Sequence, residues 1–178
     1  NPLCLALSPI ALLVVLGYSY TKRFTALCHL ILGLGLALAP IGAYLAVSGE
    51  FNIIPLFFSA AVLFWVSGFD IIYSLQDEEF DKEQKLHSIP VLLGKKNALN
   101  LAKFLHLVTI LLLSQIGNYP EFGKFYWIGS SIFSALLIYQ HTLVKKDALS
   151  KVNLAFFTTN GIASVIFGIF VILELLIK

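Results

Sequence analysis

Six of the ten acidic residues lie in one short stretch, Asp70, Asp77, Glu78, Glu79, Asp81 and Glu83, in a chain that is otherwise almost wholly apolar. Asp70, Tyr73, Asp77 and Asp81 are spaced i, i+3, i+7 and i+11. At roughly 100° per residue in a helix, these four project within an arc of about 80°. Glu79 and Glu83 fall well off this arc, and Glu78 lies beyond its edge. The spacing predicts one polar stripe along about three turns of helix, with the three glutamates as solvated decoration. Asp77 and Asp81 are one turn apart, close enough to serve one hydrated divalent ion or two adjacent ones. Mg²⁺ takes one or two carboxylates, keeps several waters and is completed by substrate phosphates. Asp70 lies about two turns deeper, between Phe69 and Ile71. An ionisable group at that depth is costly and by default marks function. An EF-hand loop does not fit, because its glycine and alternate-position oxygens are missing.

A second candidate group is Tyr18, Lys22 and Arg23. Position alone gives Lys22 and Arg23 an anchoring role at a helix junction. Chemically they suit an anion, Lys as a point charge and Arg as a planar fork for diphosphate or carboxylate oxygens. Tyr18, one turn before Lys22, can bond the same anion. His87 follows the acidic stretch closely enough to join it. His29, His106 and His141 lie apart without metal spacing and read as structural, as do Cys4 and Cys28. No nucleophilic Ser/His/Asp arrangement and no phosphate-cradling glycine loop is visible.

The elements that carry these residues are membrane helices. The 178 residues are 58% hydrophobic and only 12% charged, and the mean hydropathy is +0.88. Soluble domains carry roughly 25% charge. A net charge of +2, without a long Lys/Arg run, gives no footprint for nucleic acid. Segments of about 20 apolar residues span a bilayer. Six qualify: Leu3–Tyr20, Thr25–Val47, Ile53–Gln76, Asn97–Ile116, Lys124–Leu143 and Val152–Ile177. The expected fold is an all-α integral membrane bundle, one transmembrane domain over residues 1–178. Gly33, Gly35, Ala37, Ala39, Gly42 and Ala43 offer small faces for close packing of the second helix, and Pro40 is expected to kink it.

Lys22, Arg23, Lys82, Lys85, Lys95, Lys96, Lys145, Lys146 and Lys151 all fall in alternate connections, nine of the twelve basic residues. The positive-inside rule puts that side, and the acidic stretch with it, in the cytoplasm. Lys145, Lys146 and Lys151 suit anionic lipid headgroups. The chain begins with Asn and contains no Met, and no charged segment precedes its first apolar run. The expectation is a fragment whose start is missing, not a signal peptide.

Asp70-x-x-Tyr73-x-x-x-Asp77-x-x-x-Asp81 resembles the second aspartate-rich motif of the UbiA superfamily of intramembrane prenyltransferases. Tyr18-Ser-Tyr20-Thr-Lys22-Arg23-Phe24-Thr25 resembles that family's Tyr…Lys-Arg-x-Thr loop, and Leu86–Gly94 resembles the segment after the second motif. Gln76-Asp77 and His87-Ser88-Ile89-Pro90 are most similar to the 4-hydroxybenzoate polyprenyltransferase branch. The family has about nine spanning helices and a first Asn-Asp-x-x-Asp-x-x-x-Asp motif that this chain lacks, so these six would be its last six.

The resemblance implies Mg²⁺-dependent transfer of a polyprenyl group from its diphosphate to an aromatic acid in ubiquinone or menaquinone biosynthesis, at the cytoplasmic face of a bacterial-type inner membrane. It implies Asp77 and Asp81 as metal ligands. Tyr18, Lys22, Arg23 and His87 would bind the diphosphate, and Asp70 and Tyr73 would do the catalysis. A naphthoate, a porphyrin or a glycerol phosphate are alternative acceptors. An ion-coupled carrier is the alternative of another class, but no internal repeat relates the two halves.

Overall fold

A computed structural model describes residues 1–145 and 149–177. The order is α1 (Pro2–Thr21), α2 (Cys28–Ser48), α3 (Ile53–Ser74), a short α4 (Glu78–Glu83), α5 (Ile89–Gly117), α6 (Lys124–Leu143) and α7 (Asn160–Leu176). Leu154–Thr159 form a π-helical turn that leads into α7. The chain is an all-helical integral membrane protein. Five stretches are long and apolar enough to cross a membrane: α1, α2, α3, α5, and α7 with its π-turn. The remaining long helix, α6, has 20 residues but carries Ser130, Ser131, Ser134, Gln140 and His141. Ser130 and Gln140 turn inward while Ser131 is exposed; Gln140 is fully buried and its Nε2 donates to the Ala155 carbonyl at 2.7 Å.

Several helix ends differ from expectation, among them the start of α2 at Cys28 and not Thr25, and two of them shape the site. The third helix stops at Ser74 and does not run on to Gln76. Leu75 is fully buried in a cluster with Ile72, Ile89 and Leu99, and its N–H bonds back to the Ile72 carbonyl at 3.4 Å, three residues away. That tightening breaks the ladder. The chain restarts at α4 with Asp77 as its N-cap residue, a position aspartate favours. The polar stripe therefore lies on two helices joined by a turn, not on one. The fourth long helix begins at Ile89, earlier than Asn97, and is kinked where Gly94 takes φ 74° and ψ 159°. That region is open to glycine alone among ordinary residues. So the segment between the third and fourth long helices is itself structured.

α2 and α3 pack closely, and Gly33 is what lets them. A Cβ there would fall inside contact distance of Ser67 Oγ and the Leu63 carbonyl. Buried Gly33, Ala37, Ile41 and Leu45 follow the helical repeat, whereas Gly42 faces open space. Pro40 removes a ladder bond from α2. Next to the proline, Ser59 Oγ of α3 accepts the Ile41 N–H at 3.2 Å, which ties the two helices together.

The core has two centres. One, around Ile71, Ile72, Leu75, Ile89, Ala102, Val144 and Val152, lies where three connections meet. The other, around Leu113, Ile116, Tyr126, Phe133 and Leu137, lies toward the opposite end. There Glu174 of α7, only 7% exposed, accepts the Tyr126 N–H at 3.0 Å in the first turn of α6. The connections that carry Lys22, Lys82, Lys85, Lys95 and Lys145 collect at the first end. Lys146 lies outside the described residues.

Candidate active site

A cleft of about 310 Å³ opens at this lysine-rich end. Tyr18, Ser19 and Lys22 come to it from the end of α1, Cys28 and His29 from the start of α2, and Asp70, Tyr73, Ser74 and Asp77 from the end of α3. Five of the predicted residues, Tyr18 and Lys22 of the basic loop and Asp70, Tyr73 and Asp77 of the acidic stretch, thus meet across helices far apart in sequence. α3 positions its polar residues by presenting Ile71, Ile72 and Leu75 to the core on its other side. Tyr73 is fixed by stacking on Phe156 of the π-turn, with ring centroids 4.2 Å apart.

The deepest polar contact involves a residue the sequence reading set aside. His29 Nδ1 lies 2.6 Å from Asp70 Oδ2, with the imidazole 3% and the carboxylate 20% exposed. The Ile89 N–H points at His29 Nε2 at 3.3 Å. Ile89 opens α5, so its N–H is one of the first-turn donors that no helical carbonyl can satisfy. A backbone N–H can only donate, so Nε2 accepts and Nδ1 carries the hydrogen given to Asp70. The imidazole thereby locks Asp70 in place and ties α2 to α5. No local spacing announces this: His29 and Asp70 are separated by most of α2 and α3.

Asp81 is placed otherwise than predicted. Its side chain is fully buried, and its Oδ1 lies 2.8 Å from Lys22 Nζ, which is 30% exposed. It does not line the cleft. It anchors Lys22 from behind, and Lys22 keeps further ammonium hydrogens for the cleft. Arg23 is exposed and sits over the Tyr20 ring, 5.4 Å from its centroid, away from the cleft. The His87 side chain is also exposed. Position 87 contributes main chain instead: its N–H donates to the Lys22 carbonyl at 2.7 Å, and its carbonyl faces Cys28 Sγ at 3.6 Å. Glu79 and Glu83 are solvated as expected, but Glu78 is 7% exposed and pairs with Lys82 at 2.6 Å and Lys95 at 3.7 Å.

Among the described residues, no three His, Cys, Asp or Glu side chains converge as a closed metal cage. The donor set fits an open site of the kind Mg²⁺ uses. Asp77 makes no capping bond to its own helix and faces the cleft, and Asp81 Oδ2 is buried without a hydrogen-bond partner. Burial pushes the Asp77 carboxyl above its ordinary range; Lys22 opposes this, while Asp81 and Asp70 add to it.

That shift has a measurable consequence. Below the unfolded carboxylate's pKa of about 3.9 both states are protonated, and no penalty exists. Above it the native state keeps the extra proton, so stability falls as pH rises toward the raised folded value. Asp77→Asn is expected to melt at higher temperature than the parent protein at neutral pH, with the gap closing as pH falls through the acid range. Thermal unfolding in detergent across that range checks it; a gap of the same size at every pH would contradict it.

Residues 1–162 match the UbiA prenyltransferase family. The 4-hydroxybenzoate octaprenyltransferase of Francisella tularensis subsp. mediasiatica is 33% identical over 172 residues, covering 97% of this chain and 60% of the relative. That of Aeromonas hydrophila is 28% identical over 168 residues, covering 94% and 58%. The apo structure of a UbiA homolog from Aeropyrum pernix K1 superposes with a TM-score of 0.85 at 30% identity, over 97% of this chain and 64% of that one. The chain belongs to the UbiA prenyltransferase family. It spans about 60% of the length of the curated relatives it matches.

Proposed function

We propose that the protein transfers a polyprenyl group from a polyprenyl diphosphate to an aromatic acid such as 4-hydroxybenzoate, as a Mg²⁺-dependent step in quinone biosynthesis. The observation that carries this reading is the cleft itself. A lysine held by a buried carboxylate faces Asp70, Tyr73 and Asp77 where apolar helices end. Family membership and the named activity of the relatives support it. The positive-inside bias supports a cleft on the cytoplasmic side, in this reading of a bacterial-type inner membrane.

In this reading the diphosphate head sits by Lys22 and Tyr18, and the isoprenoid tail follows the apolar helix surfaces. Asp77, with Asp81 behind it, would hold Mg²⁺, which when bound would supply charge neutralisation for the diphosphate. The bond between the allylic carbon and the diphosphate oxygen breaks, and diphosphate departs with the electron pair. The electron-rich ring carbon of the acceptor bonds to the allylic carbon, and the ring proton passes to Asp70 Oδ. His29 keeps that carboxylate oriented, and the Tyr73 ring gives the cation an aromatic wall.

The test uses membranes from cells expressing the intact gene, supplied with a polyprenyl diphosphate and labelled 4-hydroxybenzoate. Prenylated product is expected with Mg²⁺ and none after chelation with EDTA. Product formed equally under both conditions would remove the metal from the reading. Product with another aromatic acid, and none with 4-hydroxybenzoate, would replace the acceptor.

A further inference from the structure

A second cavity, mostly apolar with a few polar groups, lies away from the cleft and shares no lining residue with it. It occupies about 420 Å³ between α5 and α6, walled by Lys103, His106, Leu107, Ile138, His141 and Thr142 among others. His106 and His141, unrelated by sequence spacing, meet there: His106 Nδ1 lies 2.9 Å from His141 Nε2. The protons of the pair can be placed by elimination. His106 Nε2 faces the Trp65 carbonyl at 3.2 Å, and a carbonyl only accepts, so Nε2 carries hydrogen. A charged His106 would be 2% exposed, with no carboxylate paired to it among the described residues. Its Nδ1 is therefore a bare lone pair, and His141 Nε2–H donates to it. In the neutral imidazole, the form favoured beside the Lys103 ammonium, that leaves His141 Nδ1 as an acceptor. It is buried and has no hydrogen-bond partner, a state that costs free energy until a donor arrives.

The surroundings define that donor. Lys103 is exposed on the same wall and in no ion pair among the described residues, so it offers a positive charge to an anionic oxygen. Leu107 and Ile138, on either side, are 52% and 62% exposed and suit alkyl chains. His141 is near the end of α6 at Leu143, the end where the basic connections gather, which is headgroup depth. We propose that this cavity binds an anionic phospholipid whose headgroup carries a free hydroxyl, a phosphatidylglycerol-type lipid. Its phosphate pairs with Lys103, its hydroxyl donates to His141 Nδ1, and its acyl chains lie along Leu107 and Ile138. A zwitterionic ammonium headgroup also has a donor, but it would set a second cation beside Lys103.

The test is native mass spectrometry of the intact protein with three lipids of equal chain length: phosphatidylglycerol, phosphatidylethanolamine, and phosphatidylmethanol, which has the charge but not the hydroxyl. Phosphatidylglycerol is expected to bind about tenfold more tightly than either of the others, the scale of one satisfied hydrogen bond or one charge contact. Lys103→Gln, at an exposed position, should weaken both anionic lipids and leave phosphatidylethanolamine unchanged. His141→Phe should lower phosphatidylglycerol to the level of phosphatidylmethanol and leave the latter alone. Equal retention of phosphatidylglycerol and phosphatidylethanolamine, or no effect of Lys103→Gln, would overturn the proposal. If His141→Phe does not fold, the wild-type comparison of phosphatidylglycerol with phosphatidylmethanol decides the hydroxyl by itself.

Discussion

Lys22→Ala should destabilise the protein far more than Asp81→Ala, although both break the same ion pair. Asp81 is fully buried and Lys22 is 30% exposed. Without Lys22, a carboxylate is stranded in the core. Removing one partner of a buried pair costs several kcal/mol; about 3 kcal/mol is expected here, because Lys22 is partly solvated. Without Asp81, the ammonium swings to water, and the cost falls to about 1 kcal/mol. Lys22→Met combined with Asp81→Leu should return stability to within about 1 kcal/mol of the parent, since apolar replacements of buried pairs are often neutral. Transfer activity should separate from stability, because the double variant melts normally yet stays inactive without its cleft lysine. Thermal unfolding and product formation, measured on the same preparations, test this. Equal losses of stability in the two single variants would remove the anchoring role assigned to Asp81.

The second large effect concerns Asp70 and His29. Asp70→Asn keeps the shape but loses the carboxylate proposed as the base, and transfer should fall by about 10² to 10⁴, the usual weight of a positioned acid–base group. His29 makes two bonds of opposite sense: it donates to Asp70 at 2.6 Å and accepts from the Ile89 N–H at 3.3 Å. His29→Ala removes both and leaves a first-turn N–H of α5 unpaired, at about 1–3 kcal/mol. His29→Gln supplies an amide N–H₂ and an amide oxygen on one side chain, so it should recover most of the stability and a large part of the rate. His29→Leu, similar in bulk, should recover neither. A leucine variant as active as the glutamine variant would show that filling the space matters and the hydrogen bonds do not.

These two pairs mark what could and could not be read from the chain. The helical architecture was legible because each span is an apolar run of the required length, bounded by turn residues. The gathering of Tyr18, Lys22, Asp70, Tyr73 and Asp77 was legible because membrane helices alternate direction and the basic residues betray which connections share a side. The break between Ser74 and Glu78 was not. It arises from burial of Leu75 against Ile89 and Leu99, a tertiary demand that overrides a helical repeat. The partners of His29 and Asp81 were not legible for a related reason. The role of each rests on one partner distant in sequence, and periodicity reports faces, not partners. At position 87 the main-chain bond to Lys22 was not legible, because side chains are what a sequence displays.

Position 87 also determines what can be learned about the site by substitution. Lys22 is gripped on two levels, by Asp81 at its ammonium and by the N–H of residue 87 at its own carbonyl, 2.7 Å away. The second grip belongs to no side chain. Alanine scanning will pass over it in silence, and an imidazole in that place will look dispensable. Proline alone withdraws the N–H, so His87→Pro should slacken the lysine where His87→Ala does not. A loop can then exchange its visible chemistry freely while its hold on the cleft persists, recorded in the main chain.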